Sequence, residues 1–327
     1  MSTKDLLTAE LKRYQGSWVS GESLSTGLSV SRSAIWKHVS KLRNQGYVID
    51  SSPNKGYRLE KAPDMLLPEE IQEGLKTRVL GQKDIHHFQE TASTNTTAKE
   101  LAAGGAPEGT LVVAEGQSHG KGRLGREWFS PLGEGVYLSL ILRPKLSPAD
   151  APKITLLTAV AAAEALRSFT GLPIQIKWPN DILLRDKKLA GILTEISTEM
   201  DAIDYVIIGL GLNVNVAAFP ADLRDTATSL LIETGRVHPR VGLTRAFLEG
   251  FESWYGMLQD TGFEPVLERW RQFSAVTGRR IVVETMGDRI EGTALDINRD
   301  GLLIVEDDEG HLHRIYSGDV TLKRGPS

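Results

Sequence analysis

The chain has 327 residues, of which 40% are hydrophobic and 24% charged, with a formal net charge of −4 and no cysteine. At about 150 residues per domain this length predicts two or three domains. The composition excludes a disordered chain, and the lack of cysteine excludes disulfides, thiolate nucleophiles, cysteine zinc sites and iron–sulfur ligation. Because the first residues lack a signal-peptide pattern, and the longest apolar stretch, 154–166, contains Glu164 and is too short for a bilayer, we expect a cytoplasmic protein with no membrane partner.

Charge is divided unevenly along the chain. Residues 1–61 carry ten Lys and Arg against five Asp and Glu, about +5, whereas the remainder carries 28 against 37, about −9. Such an asymmetry is typical of a segment that binds nucleic acid, although a basic solvated surface gives the same numbers.

The N-terminal residues have the pattern of a helix-turn-helix followed by a hairpin. A short helix over 20–25 and a turn over 27–30 precede a second helix that Ser31 caps. The apolar positions of this second helix are Ile35, Val39 and Leu42. Residues 47–59 then predict a basic hairpin, or wing, with its turn at 53–56. The residue types that suit phosphate and base-edge contacts are Ser31, Arg32, Ser33, Trp36, Lys37, Lys41 and Lys55. We therefore expect a winged helix-turn-helix that binds DNA, with a protein–protein module as the alternative.

The rest of the chain predicts an α+β domain and a small β domain. After a proline-flanked connector at 62–68, helical patterns cover 98–104, 154–169, 242–258 and 263–274, and strand patterns cover 111–115, 135–142, 174–177, 182–184, 189–196 and 205–209. This order favours a mostly antiparallel sheet with helices on one face over a regular βαβ repeat. From about residue 277 only five short strands and their turns follow, which predicts a small barrel.

The most informative stretch is residues 115–131, which follows a predicted strand and has four glycines and three cations within 116–126. Glycine lets the backbone approach a ligand closely, and alternating cations can surround phosphate or carboxylate oxygens. The stretch is not a Walker A loop, because Lys121 is followed by Gly122 rather than Ser or Thr. A flexible surface loop is the alternative, but the density of glycine and cations favours a ligand loop.

Two further stretches carry candidate ligand groups. Residues 177–181, Lys-Trp-Pro-Asn-Asp, combine an indole, a fixed φ and two polar side chains, although Pro-Asn-Asp is also good turn chemistry. Lys188 begins a predicted strand from which its ammonium can point into a pocket. Residues 207–215 contain Gly-x-Gly, but the missing third glycine and helix argue against a Rossmann site. We expect these glycines to pack closely against a ligand or a neighbouring strand.

In this order and spacing, the motifs resemble the family of bifunctional biotin protein ligases and biotin operon repressors (BirA). The matching residues are Ser93-Thr94-Asn95, the 120–126 loop with Trp128 to Pro131, Lys177 to Asp181, Lys188 to Gly191, and Gly211-Leu-Asn213. The resemblance covers essentially the whole chain. It implies a winged helix-turn-helix DNA-binding domain (1–63), a biotin- and ATP-binding catalytic domain with a class II aminoacyl-tRNA synthetase-like mixed sheet (64–276), and an SH3-like small β-barrel (277–327).

The resemblance also implies the reaction. The biotin carboxylate attacks the α-phosphorus of ATP, which gives biotinyl-5′-AMP and pyrophosphate, and a lysine of the biotin carboxyl carrier protein of acetyl-CoA carboxylase then takes the biotinyl group. Carboxylate and triphosphate repel each other, so the first step needs cations at their junction. The expected catalytic residues are Lys188, Arg123 and Asp181, with Lys188 bridging the biotin carboxyl oxygen and the α-phosphate. Mg²⁺ is expected with the pyrophosphate.

Ligand contacts follow from the same resemblance. It assigns biotin to Ser93, Thr94, Asn95, Gln117, Lys121, Gly122, Arg123 and Lys188, and the nucleotide to Arg126, Lys177, Asn180 and Asn213. Thr94 and Asn95 could instead be only helix-capping residues, and Asp181 could position metal or amine or simply hold its loop together. Lys121 stands where the family usually has arginine, so the charge is kept without the planar fork. The loop over 214–228 matches weakly, so no residue is assigned to stack on adenine.

The regulatory half of the family implies a DNA-bound homodimer. Biotinyl-AMP would order residues 116–128 and stabilise a homodimer that binds the operator of biotin synthesis genes. The first alternative is a monofunctional ligase whose N-terminal domain does not bind DNA; the basic helix and wing argue against it. The second is a transcription factor that binds biotin without adenylation, and the cations Lys121, Arg123 and Lys188 argue against it.

Two histidine pairs, His86-His87 and His311-x-His313, suggest metal ligands. Neither pair has a third ligand at a suitable spacing in the sequence. We therefore expect no metal site.

Overall fold

The computed structural model describes residues 3–199, 202–285 and 287–323. The chain divides into two compact units, with the division between Met65 and Leu66. None of the described helices combines the length and the apolar composition that a bilayer-spanning segment requires.

The first unit is a winged helix-turn-helix. Its elements are α1 (Thr3–Arg13), α2 (Gly21–Gly27), α3 (Arg32–Asn44), β1 (Val48–Ser52) and β2 (Gly56–Lys61). Ser20 and Ser31 cap α2 and α3, with side-chain oxygens that accept from backbone N–H groups three residues later. The antiparallel β1–β2 pair forms the predicted wing. The predicted helices and hairpin are confirmed, although α2 extends two residues beyond the predicted end.

A seven-stranded sheet forms the centre of the second unit. Its strands are β3 (Ile85–Thr91), β4 (Leu111–Gln117), β5 (Gly135–Leu142), β6 (Gln175–Lys177), β7 (Asp181–Leu184), β8 (Lys187–Glu199) and β9 (Ala202–Asn213). The strand order is β3-β4-β5-β9-β8-β7-β6, and among the strand pairs of the described residues only β3–β4 is parallel. The predicted mostly antiparallel sheet is confirmed. Strands β8 and β9 are longer than predicted because their polar ends are also paired with each other, which apolar runs do not reveal.

Helices cover both faces of this sheet. The helices are α4 (Pro68–Gln72), α5 (Thr94–Ala103), α6 (Ala151–Thr170), α7 (Leu230–Thr234), α8 (Arg240–Thr261) and α9 (Glu264–Phe273). Helices α6, α8 and α9 share the main core, whereas Ala98 and Ala102 of α5 pack with Val112 and Ile141 in a separate cluster. Because β4 and β5 are apolar on both faces, the expectation of helices on one face was wrong for α5.

The last strands form a five-stranded antiparallel sheet, as predicted. They are β10 (Arg280–Glu284), β11 (Arg289–Ile297), β12 (Leu303–Glu306), β13 (Leu312–Ile315) and β14 (Asp319–Leu322), in the order β13-β12-β11-β10-β14. Most of their buried residues belong to the same core cluster as the main sheet. The indole N–H of Trp178 donates to the carbonyl of Gly301 at 3.2 Å, so a buried contact ties the two sheets together.

Candidate functional site

One cavity of about 650 Å³ lies in the second unit, lined by strand ends, the glycine-rich loop and the C-terminal sheet. Every residue that the sequence assigned to biotin, nucleotide or catalysis lines it: Ser93, Thr94, Asn95, Gln117, Lys121, Gly122, Arg123, Arg126, Lys177, Asn180, Asp181, Lys188 and Asn213. These residues come from separate stretches of the chain and are brought together by the sheet.

A polar cluster, formed by the buried Thr94, Asn95, Ser130 and Ser139 and the half-buried Gln117, lies on one side of the cavity. The Thr94 backbone N–H donates to Gln117 Oε1 at 2.9 Å, and Gln117 Nε2 donates to Ser130 Oγ at 2.8 Å. Ser139 Oγ donates to Asn95 Oδ1 at 2.6 Å and lies 2.8 Å from Thr94 Oγ1. The polar cluster is therefore an internally satisfied surface that can exchange hydrogen bonds with a polar, uncharged ligand group.

The start of α5 shows that Thr94 and Asn95 are not simple capping residues. Ser93 holds the cap position, yet its side chain caps no backbone N–H among the described residues. Thr94 and Asn95 are each 4% exposed, and their side chains form hydrogen bonds within the polar cluster. The capping alternative is not the arrangement observed.

Three glycines make room for large side chains at the cavity wall. A Cβ on Gly209 would lie 2.1 Å from Asn95 Oδ1, and a Cβ on Gly211 would lie 2.4 Å from the Trp128 indole. A Cβ on Gly191 would lie 2.9 Å from the same indole. The glycines of the Gly-x-Gly stretch do pack closely, but against a side chain of α5 and the indole of Trp128 rather than against a neighbouring strand.

A basic cluster, Lys177, Lys188 and Asp181, lies farther along the cavity. Asp181 is 8% exposed; its Oδ1 is 2.7 Å from Lys188 Nζ and its Oδ2 is 3.0 Å from Lys177 Nζ. Burial raises the pKa of Asp181, but the charges of Lys188 and Lys177 outweigh burial and hold the pKa below its ordinary value. The carboxylate therefore stays ionised as the counter-ion of two lysines. Lys188 Nζ also lies 5.3 Å from the centre of the Trp128 ring.

The arginines of the glycine-rich loop contact the C-terminal sheet. Arg123 Nη1 donates to Asn180 Oδ1 at 3.1 Å and to the Gly318 carbonyl at 3.4 Å. Arg126 is ion-paired with Asp319. Asn180 also donates to the Ile192 carbonyl at 2.7 Å, so its amide holds Arg123 to a sheet strand. Lys121 is exposed at the loop surface.

Asn213 occupies the end of β9 under the loop over 214–229. Its Nδ2 donates to the Thr228 carbonyl at 3.1 Å, while its buried Oδ1 has no hydrogen-bond partner among the described residues. The loop is joined to strand β8, because Lys188 N donates to the Thr226 carbonyl at 2.7 Å and Thr228 N donates to the Lys188 carbonyl at 2.9 Å.

A buried ion-pair cluster supports the strand that leads into the loop. Glu115, 2% exposed, accepts from the Leu66 backbone N–H at 2.8 Å, from Arg240 Nη1 at 2.8 Å, and lies 3.1 Å from His87 Nε2. Burial raises the pKa of Glu115, but the hydrogen bond with His87 and the charge of Arg240 outweigh it and lower the pKa. Gln117 follows two residues later on the same strand.

The first unit presents a polar face on α3. Ile35, Val39 and Leu42 are buried, as predicted, whereas all the residues proposed for DNA contact are exposed: Ser31, Arg32, Ser33, Trp36, Lys37, Lys41 and Lys55. Trp36 is 58% exposed, which is unusual for an indole without a partner surface. Arg32 pairs with Glu22 at 3.0 Å.

The histidine pairs differ in their surroundings. His87 belongs to the Glu115 cluster. In contrast, the β12–β13 turn brings one potential ligand atom each of Asp307, Glu309 and His311 to within 4.8 Å of one another. The expectation that the His311–His313 pair has no third ligand nearby was therefore wrong. Asp307 already accepts from the Glu309 and His311 backbone N–H groups. It also lies 2.7 Å from His313 Nε2, an interaction that lowers the pKa of Asp307 to about 2, so its carboxylate organises the turn itself.

Sequence reasoning missed three parts of the cavity wall. The Trp128 indole, the Phe219 ring and the C-terminal residues Arg279 and Asp319 all line the cavity. Trp128 begins the Trp-Phe-Ser-Pro motif at 128–131, and its place in that motif was the available signal. No local pattern reveals Asp319, because it reaches the site through the packing of a separate sheet.

Comparison with known families gives three matches along the chain. The profile of the "HTH domain" matches residues 4–58, that of the "Biotin/lipoate A/B protein ligase family" matches 87–213, and that of the "Biotin protein ligase C terminal domain" matches 276–323.

Full-length relatives and solved structures agree with these matches. The bifunctional ligase/repressor BirA of Bacillus subtilis is 43% identical over 322 residues, which cover 98% of each chain. The bifunctional ligase/repressor BirA of Escherichia coli is 31% identical and covers 94% of each chain. The structure of a biotin protein ligase from Aquifex aeolicus in complex with biotin and ATP is 28% identical with a TM-score of 0.65, and the match covers 74% of this chain and 100% of that one.

Proposed function

The chain belongs to the family of bifunctional biotin ligases and repressors, and from that premise we propose how its residues carry out both activities. It is an ATP-dependent biotin–protein ligase and a DNA-binding repressor. The observation that carries the ligase assignment is that all the proposed ligand residues line one cavity.

Biotin is proposed to bind with its uncharged ring at the polar cluster and its carboxylate toward Lys188. The polar cluster offers amide and hydroxyl groups from Thr94, Asn95 and Gln117, with Ser93 beside them. These groups can both donate to and accept from a neutral polar ring, and their burial excludes competing water.

Adenylation takes place at the basic cluster. The biotin carboxylate attacks the α-phosphorus, the bond to the bridging oxygen breaks, and pyrophosphate leaves. Lys188 exchanges part of its interaction with Asp181 for the incoming carboxylate and α-phosphate oxygens, while Arg123 and Arg126 face the remaining phosphates. These cations offset the repulsion between the reactants and stabilise the charge of the transition state. Asp181 is a positioning residue that keeps two lysines close together without net repulsion.

The second step transfers the biotinyl group to the carrier. The lysine amine of the biotin carboxyl carrier protein of acetyl-CoA carboxylase attacks the acyl carbon of biotinyl-5′-AMP, forms an amide and releases AMP. Asn213 and Trp128 are proposed to hold the nucleotide base during both steps.

Mg²⁺ is proposed to bind together with ATP, as a complex with its phosphates. Asp181, the most buried carboxylate of the cavity lining, is already engaged by two lysines, so the site fits an ion that keeps phosphate oxygens and water as ligands. The ion would supply charge neutralisation at the leaving pyrophosphate.

The test of the ligase assignment is intact-mass measurement of a carrier domain after incubation with the protein, biotin and Mg-ATP. We expect one biotinyl group on the carrier, and none when ATP is omitted. An unchanged carrier mass in the complete mixture contradicts the ligase function.

For the repressor function, α3 is proposed to enter a major groove and the wing to contact the backbone of operator DNA of biotin synthesis genes. The support is a face with three exposed cations and an exposed indole, opposite three buried apolar residues.

Biotinyl-AMP is proposed to order residues 116–128 and to stabilise the homodimer that binds this DNA. Sedimentation with and without biotinyl-AMP tests this, and a profile independent of the ligand contradicts it.

The double variant Arg32→Ala/Lys37→Ala separates the two activities. Losing two phosphate contacts should weaken operator affinity by about tenfold or more and lower the salt dependence of binding, with ligation unchanged. Fluorescence anisotropy and the carrier assay measure the two effects. Loss of ligation in this variant contradicts the separation of the domains, which we propose to span 1–63, 64–276 and 277–327.

Since operator DNA and the carrier are both cytoplasmic, we propose that the protein acts in the cytoplasm.

A further inference from the structure

The geometry around Asn213 points to a positioning role for Glu233. We propose that Glu233, clamped by Arg185, holds the Asn213 side-chain oxygen ready for the 6-amino group of the nucleotide base, so that the enzyme selects 6-aminopurine over 6-oxopurine nucleotides. The inference rests on the proposed function and adds to it the structural basis of base selection.

Thr228 determines which way the Asn213 amide points. Asn213 Nδ2 lies 3.1 Å from the Thr228 carbonyl oxygen. A carbonyl only accepts, so the NH₂ group must face it and Oδ1 must point elsewhere. Asn213 is 3% exposed and its Oδ1 has no partner in the described part of the chain. Because burying an unpaired acceptor is unfavourable, this oxygen is suited to an incoming N–H donor.

Thr228 is itself fixed by two further hydrogen bonds. Its backbone N–H donates to the Lys188 carbonyl at 2.9 Å, and its Oγ1 donates to Glu233 Oε1 at 2.7 Å. The residue is fully buried. Removing the Glu233 carboxylate would leave the Thr228 hydroxyl buried without its acceptor and would free the carbonyl to shift relative to Asn213.

Arg185 holds the other oxygen of Glu233. Arg185 Nη1 lies 3.1 Å from Glu233 Oε2; the Glu233 side chain is 9% exposed and the Arg185 side chain 68%. Arg185 and Asp186 form the two-residue turn between β7 and β8, with φ of 52° and 60°. Positive φ is uncommon for arginine, and from this position the side chain reaches α7. The clamp thus connects the hairpin tip, the loop over 214–229 and the strand of Lys188.

The chemistry of the base decides the outcome at Asn213. The 6-amino group of ATP donates to an acceptor such as Oδ1, whereas the 6-carbonyl of inosine triphosphate would place two acceptors against each other. A buried polar group rejects an analogue that leaves it unpaired. Selection therefore depends on keeping Oδ1 in place, which is the role given to Glu233.

The experiment measures kcat and KM for ATP, inosine triphosphate and biotin by pyrophosphate release in the presence of the carrier domain. The wild type should prefer ATP by about 100-fold or more in kcat/KM. Glu233→Ala should raise the KM for ATP about tenfold and narrow the ATP preference by a similar factor, with the biotin KM unchanged. Glu233→Gln keeps an acceptor for Thr228 and should recover most of the preference. Asp222→Ala, which removes an exposed carboxylate from the same loop, should behave as wild type.

Each contrary outcome has its own meaning. No pyrophosphate release by the wild type contradicts the proposed function. An active wild type that uses both nucleotides equally overturns base selection by Asn213. If Glu233→Ala loses activity equally with both nucleotides, the residue only stabilises the fold and the inference fails. If that variant does not fold, Arg185→Ala, at an exposed site, decides: an unchanged ATP preference overturns the clamp.

Discussion

The two halves of the cavity are built differently. The half proposed for biotin, called here the biotin half, is the polar cluster, in which Thr94 and Asn95 are each 4% exposed and already hydrogen-bonded within the protein. The half proposed for the phosphates, called here the phosphate half, is the glycine-rich loop, in which Lys121 is exposed and the Arg126 side chain is 68% exposed and paired with Asp319. A neutral ring needs a preformed, dry surface, because weak hydrogen bonds cannot repay large rearrangements. A triphosphate supplies its own strong charge, so exposed cations with temporary counter-ions are sufficient.

The largest effect is expected where the two halves meet, at Lys188. Lys188→Ala should lower the rate of biotinyl-AMP formation by about 10²–10³-fold or more, because one charge-stabilising donor is lost from the junction of carboxylate and phosphate. The rate of pyrophosphate release measures this. Lys187→Ala, the neighbouring lysine outside the basic cluster, is the matched control. Activity of Lys188→Ala near that of the wild type would refute the proposed role.

The next effect tests what keeps the biotin half rigid. Glu115→Gln should lower the free energy of unfolding by about 3–5 kcal/mol, since it breaks the buried ion pair between Glu115 and Arg240. Urea denaturation measures the change, and an unchanged midpoint would show that the strand end is held by other contacts.

The pH dependence of stability follows from the same carboxylate. Because the folded pKa of Glu115 lies below the unfolded value of 4.5, its contribution is fully present above pH 4.5 and is lost as the pH falls through the lower folded pKa. The wild-type stability should therefore fall more steeply than that of Glu115→Gln in acid. Parallel curves would contradict the lowered pKa.

A smaller and more selective effect is expected at Gln117. Gln117→Ala removes the acceptor for the Thr94 backbone N–H and the donor to Ser130. Leaving such groups unpaired costs about 1–3 kcal/mol, so the KM for biotin should rise about tenfold or more while that for ATP stays constant. Initial rates at varied biotin and ATP separate the two. An equal rise in both constants would show that the halves are not independent.

The difference between the halves also explains what the sequence could reveal. Helices such as α3 and α6 and the strands of the main sheet other than β3 follow from apolar patterns, and the ligand motifs stand out because glycine and cations are concentrated in short stretches. Strand β3 was not predicted, because none of its residues is fully buried and it lacks an apolar run. The residues that contact the ligand motifs cannot be predicted from the sequence in this way. Asp319 and Gly318 reach Arg126 and Arg123 across more than half of the chain, and Arg185 reaches Glu233 from the separate hairpin between β7 and β8. Long-range contacts of this kind depend on packing between elements rather than on composition.

The smallest effect is expected at Lys121, which stands where the family usually has arginine. The side chain is exposed, and exposed ion pairs contribute about 0.2–1 kcal/mol, so Lys121→Arg should change the KM for biotin and the KM for ATP by about threefold or less. Arginine adds a planar fork that can hold two oxygens at once, which matters only where the ligand oxygens are held in a fixed position. A tenfold gain in ATP affinity, measured by calorimetry beside Lys187→Arg as the control, would mean that the bound loop presents its cations in a fixed, desolvated geometry. The phosphate half would then be as rigid as the biotin half once ligand is bound, and the contrast between them would hold only for the free protein.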